Sequence, residues 1–267
     1  MQQHRRHFLQ LAAGQTLAVT GLAGAAQAAA GRPVSVVGTH FSRLFEAGAA
    51  AGDRTRPRGL AVDILDAILL PAGFAPTYEL YPWLRAQAMI EHGPANILVG
   101  PYRTPERERR LRFSRQPFYE DSLVFYARQG EQALWRNDFA TLRALQVGAV
   151  QGWVYGDRFD QARTRLKLTL VRDLATALRM LQLGRLDLIA ANQRNSEPVI
   201  HELGLADHVQ LCSPPFAHLR GHFAFNDHHG TPWQTLVDAG MQRLRANGEL
   251  AQMAARHGVN LPDDRQA

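Results

Sequence analysis

ANILVGPYRTPERERRLRFSRQPF (residues 95–118) places a short apolar run directly before a dense group of arginines. Residues 95–99 have the composition of a buried strand, and Gly100 is predicted to end that strand. Residues 100–118 then contain six arginines and two glutamates. Such a segment fits a nucleic-acid-binding patch, a solvated helix face or a clamp for one small anion. The rest of the sequence distinguishes between these three interpretations.

The segments around this stretch alternate between strand-like and helix-like hydrophobic patterns. Strands are predicted at residues 34–37, 76–81, 95–99, 122–127, 145–150, 167–171, 186–191, 209–211 and 221–225. Helices are predicted at residues 59–70, 83–92, 156–165, 174–183, 194–203, 231–246 and 249–257. This order predicts two consecutive α/β units and a C-terminal helical tail that folds back on the first unit.

The composition is that of a globular protein of moderate positive charge. The chain has 267 residues, 46% of them hydrophobic, and a formal net charge of +6. Its length is sufficient for one large domain or two smaller lobes with cores of their own. Because Cys212 is the only cysteine, an intramolecular disulfide and a thiolate metal cluster are both excluded.

Sequence motifs for cofactors and nucleophilic catalysis are absent. The chain contains no P-loop, no G-x-G-x-x-G, no H-E-x-x-H, no C-x-x-C and no G-x-S-x-G pattern. His222, His228 and His229 are close in sequence, but their spacing matches no standard metal site. We therefore expect no cofactor and no bound metal.

Residues 1–28 have the three parts of an export signal. Arg5 and Arg6 precede a mildly apolar stretch, and Ala26-Gln27-Ala28 forms an A-x-A cleavage site. The paired arginines followed by Phe8-Leu9 favour a twin-arginine signal over a general secretion leader. We expect cleavage after about Ala28 and a mature protein free in the periplasm, a location that argues against nucleic acid as a partner.

The whole pattern resembles bacterial extracellular solute-binding proteins of family 3, the polar amino-acid-binding receptors of ABC transporters. The resemblance runs from about Val34 to Gly258, and it depends on the order and spacing of several short motifs. These motifs are GLAVDIL (59–65), YPWLRA (81–86), RTPER (103–107), FS (113–114), PF (117–118), LQLGRLD (181–187) and NG (247–248).

The resemblance implies an α/β, two-lobed periplasmic-binding-protein fold of type II. Each lobe would have a central sheet flanked by helices, and two crossing hinge strands would join the lobes. Lobe 1 would comprise residues 29–123 plus 222–267, and lobe 2 would comprise residues 124–221. Such lobes close on a small ligand by hinge motion.

Four loops are candidates for the ligand site because ligands of open α/β sheets bind beyond the carboxyl ends of the strands. These loops contain Thr39–Phe41, Gly100–Tyr102, Gln151–Trp153 and Asn192. The resemblance adds Arg107, which matches the arginine of the family's T-x-E-R motif and would hold the ligand's carboxylate. The alternative is that Arg107 pairs only with Glu106, Glu108 or a neighbouring backbone group.

The resemblance also raises a question about the ligand's amine. Asn192 stands where the family places an acid for that amine, and Thr39 or His40 replaces a second acid. A buried ammonium without a carboxylate is unfavourable. A carboxylate without a free amine, or a larger or aromatic one, fits as well as an amino acid, and Trp153 and Tyr155 are candidates to stack on it. The predicted ligand-binding residues are His40, Gly100, Tyr102, Arg107, Gly152, Trp153 and Asn192.

The expected function is a non-enzymatic, monomeric receptor that captures a small carboxylate-bearing solute for an ABC permease or a membrane sensor. One alternative is a cyclohexadienyl-dehydratase-like enzyme on the same scaffold, and another is a periplasmic adaptor with a degenerate cleft. For the expected receptor, the arginines of residues 100–118 fall into two groups. Arg107 faces the cleft, whereas four other arginines form a solvated face: Arg109, Arg110, Arg112 and Arg115.

Overall fold

The computed structural model describes residues 31–48 and 56–262. The predicted export signal, residues 1–28, lies outside the described residues. Among the residues that are described, no helix combines the length and the apolar character needed to cross a membrane.

The described chain alternates between strands and helices. The strands are β1 Arg32–Gly38, β2 Phe74–Leu80, β3 Ile97–Tyr102, β4 Leu111–Phe113, β5 Tyr119–Arg128, β6 Gln146–Val150, β7 Lys167–Val171, β8 Leu188–Asn192 and β9 Val209–Asn226. The helices are α1 Leu60–Leu69, α2 Trp83–His92, α3 Pro105–Glu108, α4 Asp157–Ala162, α5 Leu174–Gln182, α6 Gln193–Glu202, α7 Thr231–Ala246 and α8 Glu249–His257. Short 3-10 turns cover Gln132–Leu134, Phe139–Leu142 and Arg163–Arg165.

Two long antiparallel strands connect two parallel half-sheets. The strand order is β2-β1-β3-β9-β5-β8-β6-β7, and β4 adds to β9. β1 is parallel to β2 and β3, and β6 is parallel to β7 and β8. β5 and β9 pair with each other along most of their length. The predicted α/β class with two crossing strands is therefore confirmed, although the two half-sheets form one continuous hydrogen-bonded path.

The hydrophobic cores lie on either side of the crossing strands. In lobe 1, the buried faces of α1, α7 and α8 pack on β1 and β3, with Ile64, Met241 and Leu250 among the fully buried residues. In lobe 2, α5 and α6 cover one face of the half-sheet, and Phe125 and Phe216 help to fill the other. The predicted lobe boundaries at residues 123/124 and 221/222 stay a prediction.

The structure differs from the predicted strands at two places. β3 does not end at Gly100 but continues to Tyr102, with an irregular register against β9 and a left-handed Gly100 (φ 82°). Residues 209–226 form one strand instead of two, because β5 pairs with residues 209–221 and β3 and β4 pair with residues 221–226. The register shifts between Leu123 and Phe125, and a bulge of this kind accommodates the prolines opposite it.

Candidate functional site

A cavity of about 420 Å³ lies between the two lobes. Lobe 1 contributes the loop after β1, the end of β3 and the turn α3, and lobe 2 contributes the loop after β6 and parts of α5 and α6. The cavity thus lies beyond the carboxyl ends of β1, β3, β6 and β8, as expected for an open α/β sheet. All seven predicted ligand-binding residues are among those that line it: His40, Gly100, Tyr102, Arg107, Gly152, Trp153 and Asn192. Their binding roles stay predictions.

Aromatic rings form the wall of the cavity in lobe 1. A Cβ atom at Gly100 would lie 2.9 Å from Cε2 of Phe41, so glycine at this position allows the Phe41 ring to approach the strand. The Phe41 ring makes an edge contact with Trp83, with centroids 5.9 Å apart. Trp83, the first residue of α2, therefore lines the cavity besides packing against lobe 1.

Arg107 is held by the single turn α3. Thr104 caps this turn through a hydrogen bond from the Arg107 backbone N–H (3.3 Å), and Pro105 occupies the first position. The Arg107 Nη1 donates to the carbonyl of Tyr102 at 3.0 Å, and the guanidinium carbon lies 5.2 Å from the centroid of the Trp83 ring. The guanidinium is thereby oriented by one backbone group and one aromatic face.

The Arg107 guanidinium has no acidic partner within the described part of the chain. No carboxylate there lies within the 4.0 Å limit of an ion pair with Arg107. Glu106 pairs with Arg110 at 2.9 Å and Glu108 pairs with Arg103. Of the alternatives considered for Arg107, the backbone contact is therefore present, whereas the pairing with Glu106 or Glu108 is absent. Burial lowers the pKa of Arg107.

A second buried arginine lies nearby and is fully paired. Arg194 Nε and Nη2 donate to the two oxygens of Asp121, each at 2.8 Å. Asp121 is 2% exposed and also accepts hydrogen bonds from Tyr102 Oη (2.7 Å) and from Asn192 Nδ2. Burial opposes the charged form of Arg194, but the charge and hydrogen bonds of Asp121 raise its pKa overall. The sequence analysis identified neither Asp121 nor Arg194.

The start of α6 also contacts lobe 1 directly. Arg194 Nη1 donates to the carbonyl of Ser42, and the Ser42 backbone N–H donates to Asn195 Oδ1 at 3.2 Å. At the surface, Arg43 lies 3.7 Å from Glu197. These bonds join the loop after β1 to the N-terminal turn of α6, so the two lobes are in contact along this side of the cavity.

Asn192 lines the cavity, but its side-chain amide already has partners. Its Oδ1 accepts from the Asn195 backbone N–H at 3.0 Å, which caps α6. Its Nδ2 donates to Tyr102 Oη at 2.7 Å and to Asp121. The Tyr102 hydroxyl in turn donates to Asp121. The side chains of Tyr102 and Asn192 are therefore bonded to each other instead of projecting free polar groups into the cavity.

The two aromatic residues proposed to stack on a ligand differ in position. Trp153 is 37% exposed and lines the cavity. Tyr155 is buried in the core of lobe 2, and its hydroxyl accepts a hydrogen bond from the Val150 backbone N–H at 2.7 Å. Gly152 (φ 80°) has open space where a side chain would project. Of these two residues, only Trp153 is positioned to stack on a ligand, because the Tyr155 side chain is bonded to the backbone of β6.

The histidines near residue 222 do not form a cluster of metal ligands. His222 is buried, with its Nδ1 atom 2.9 Å from the Ser114 carbonyl. Across the described residues, no group of three or more His, Cys, Asp or Glu side chains is arranged to hold a metal ion.

Comparisons with solved structures find the same two-lobed fold at low sequence identity. A histidine kinase sensor domain with similarity to periplasmic binding proteins is 20% identical, with a TM-score of 0.74 over 87% of this chain and 99% of that chain. An amino acid ABC transporter substrate-binding protein from Streptococcus pneumoniae, bound to L-arginine, is 16% identical, with a TM-score of 0.67 over 86% of this chain and 95% of that chain. A second substrate-binding protein from that organism, with bound histidine, is 13% identical, with a TM-score of 0.70 over 92% of this chain and 100% of that chain.

The sequence itself identifies the family. A search of curated protein sequences found no significant match. The model of the bacterial extracellular solute-binding proteins, family 3, matches residues 38–260. Since this match covers most of the chain and agrees with the two-lobed fold, the protein belongs to the bacterial extracellular solute-binding proteins, family 3.

Proposed function

We propose that this protein is a periplasmic receptor that captures a small carboxylate-bearing solute in the interlobe cavity and delivers it to an ABC-type transporter or a membrane sensor. Family membership supports a binding function. The observation that carries the carboxylate assignment is the Arg107 guanidinium, which lines the cavity without an acidic partner among the described residues.

The physical argument concerns the cost of an uncompensated buried cation. Burial disfavours the charged form of Arg107, as the lowered pKa indicates. A ligand carboxylate would remove this penalty by forming two parallel, charge-assisted hydrogen bonds with the guanidinium. The Tyr102 carbonyl and the Trp83 ring would fix the orientation of the guanidinium before the ligand arrives. Such preorganisation lowers the entropic cost of binding.

The charges of the cavity favour a receptor over an enzyme. A dehydratase needs an acid close to the reacting group to expel hydroxide. Among the described residues that line the cavity, Glu202 is the only acid, and it is an exposed residue at the C-terminal end of α6. Asp121 is already bonded to Arg194. We expect no turnover of prephenate or arogenate, and product formation with either would overturn the receptor assignment.

The direct test is to identify a ligand and then remove Arg107. Mass spectrometry of the denatured protein would identify any solute that co-purifies, and a thermal-shift panel of carboxylic acids and L-amino acids would provide one if none does. The Arg107→Ala variant should bind that solute at least about 30-fold more weakly in calorimetry, because truncating one partner of a buried charge pair costs about 2–5 kcal/mol or more.

The matched control is Arg109→Ala, which removes an exposed arginine two residues away. We expect this variant to bind like the original protein. If Arg107→Ala binds like the control, the carboxylate clamp is refuted. If no compound in the panel shifts the melting temperature, the alternative of an adaptor with a degenerate cleft is favoured.

A further inference from the structure

We propose that the ligand is a carboxylate with an apolar or aromatic body and without an ammonium group next to the carboxylate. This inference rests on the proposed function and adds the chemical class of the ligand. It is based on the charges around Arg107, on the partners of Asp121 and on the composition of the cavity wall.

Among the described residues that line the cavity, Arg107 is the one arginine or lysine and Glu202 is the one acid, and they belong to different parts of its wall. Glu202 is the last residue of α6, whereas Asn192 caps the first turn of that helix. Ten residues of α-helix span about 15 Å. Arg107 is linked to the Asn192 end of α6 through Tyr102, whose backbone carbonyl accepts from Arg107 and whose hydroxyl accepts from Asn192. An α-amino acid carries its two charges on the same carbon, so Arg107 and Glu202 do not fit both groups at once.

The nearest buried acid already accepts four hydrogen bonds from protein groups. Asp121 accepts two hydrogen bonds from Arg194, one from Tyr102 Oη and one from Asn192 Nδ2. Three of these bonds are to Oδ2 and one is to Oδ1. The positive charge of Arg194 also neutralises the carboxylate, and Asp121 is not among the residues that line the cavity. The side chains of Tyr102 and Asn192 therefore lie between the cavity and Asp121, and Asp121 is already paired with Arg194, so it is a poor partner for a cationic ligand.

The Tyr102 hydroxyl and the Asn192 side-chain amide, which bond to Asp121, also have hydrogen-bond partners within the protein. The Tyr102 hydroxyl donates to Asp121 and accepts from Asn192, and the Asn192 carbonyl oxygen Oδ1 accepts from the Asn195 N–H. An ammonium group needs acceptors for three N–H donors. Placed beside the ligand's carboxylate, it would also be repelled by Arg107. The local chemistry therefore accepts an anion and disfavours a neighbouring cation.

The remaining wall is suited to an apolar body. The cavity has the volume of a typical small-molecule site. Its wall is predominantly apolar and includes Phe41, Trp83, Leu123, Trp153, Leu174 and Val199. Aromatic faces favour the burial of a planar or aliphatic group. A carboxylate end at Arg107 and an apolar end between the lobes would use both parts of the cavity.

The test compares matched pairs of ligands that differ only in the amine. Calorimetry of the mature full chain would use 3-phenylpropionate with L-phenylalanine, and 4-methylpentanoate with L-leucine. We expect the amine-free acid of at least one pair to bind at least about 100-fold more tightly than its amino acid, since an unpaired ammonium loses most of its hydration on burial. The Arg107→Ala variant should lose this binding, and Arg109→Ala should retain it.

The outcomes separate this inference from the proposed function. Tighter binding of the amino acid in either pair would overturn the inference and leave the carboxylate receptor intact. Binding of the acids that survives Arg107→Ala would overturn the proposed clamp itself. If the acids fail to bind and other amine-free apolar carboxylates also fail, while an amino acid from the wider panel binds, the inference is again refuted.

Discussion

Arg107 is half-buried and Arg194 is buried, and the two arginines differ in their partners. Each lies over an aromatic ring, Arg107 over Trp83 at 5.2 Å and Arg194 over Tyr119 at 5.1 Å. Arg194 binds the buried Asp121 through two hydrogen bonds, whereas Arg107 binds only the Tyr102 carbonyl. The pKa of Arg107 is lowered, mainly by burial. For Arg194, Asp121 outweighs the effect of burial and raises the pKa.

This difference indicates that the charge of Arg194 has a structural role and that the charge of Arg107 is available to a ligand. The charge of Arg194 is neutralised within the protein, and its third nitrogen joins the lobes through the Ser42 carbonyl. The charge of Arg107 is exposed to the cavity and lacks an acidic partner in the described chain. A paired buried charge becomes costly when one partner is removed, whereas an unpaired one is already costly. The two arginines should therefore respond to substitution in different ways.

The largest effect is expected for Arg194→Met, which leaves Asp121 buried without its partner. Breaking a buried ion pair from one side costs about 3–5 kcal/mol, so the free energy of unfolding should fall by that amount in urea denaturation. The double variant Arg194→Met/Asp121→Leu should recover most of the loss, because no uncompensated charge remains. A single variant within 1 kcal/mol of the original protein would contradict the structural role of the pair.

The next effect comes from His222, a buried basic group with no carboxylate in ion-pair contact among the described residues. Burial lowers the pKa of His222 to about 4, and the nearby Arg103 and Arg220 also disfavour its charged form. Because the folded pKa lies below the ordinary value of about 6.5, the unfolded chain binds more protons between these two pH values. This contribution to stability is present above pH 6.5 and is lost as the pH falls towards 4.

The His222→Asn variant isolates this pH dependence. Asparagine can still donate a side-chain N–H to the Ser114 carbonyl, but it does not titrate. Between pH 7 and pH 4, the original protein should lose about 3 kcal/mol more of its free energy of unfolding than the variant. Urea denaturation at both pH values measures the difference. Equal losses would show that His222 is protonated at little cost in the folded protein.

The smallest effect is expected for Arg107→Met in the ligand-free protein. Removing an unpaired, partly buried charge relieves its desolvation, and this gain offsets the lost hydrogen bond to Tyr102. We expect the free energy of unfolding to change by no more than about 1 kcal/mol, measured after dialysis from denaturant to remove bound solute. A loss above 3 kcal/mol, similar to that of Arg194→Met, would remove the contrast between the two arginines.

The sequence predicted the cavity better than it predicted the partners of the residues around it. Gly100 and Tyr102 follow a recognisable buried strand, so the rule for strand ends located them, whereas Arg107 was located by its match to the family's T-x-E-R motif. Their roles in binding stay predictions. Asp121 and Arg194 were missed because they are separated by 73 residues and meet only across the crossing strands. Local patterns carry no information about such a pair.

The same limit applies to the long strand and to Asn192. Residues 209–226 contain prolines that break the local strand pattern, and pairing with β5, β3 and β4 makes the segment continuous. Asn192 was correctly located after a buried strand, but its bonds to Tyr102 and Asp121 depend on side chains from other parts of the fold. Tyr155 was only a candidate to stack on a ligand, and it packs in the core of lobe 2, where its hydroxyl accepts a hydrogen bond from the Val150 N–H.

The position of β9 in the sheet also affects the order in which the chain can fold. β9 is the neighbour of β3 and is made after every strand of lobe 2. While a ribosome synthesises the chain, β6, β7 and β8 can complete their parallel half-sheet, but the edge of β3 that faces away from β1 stays unpaired until the C-terminal part of β9 emerges. An unpaired apolar strand edge is prone to aggregation. The half of the sheet that is synthesised first is therefore the half whose edge stays open longest.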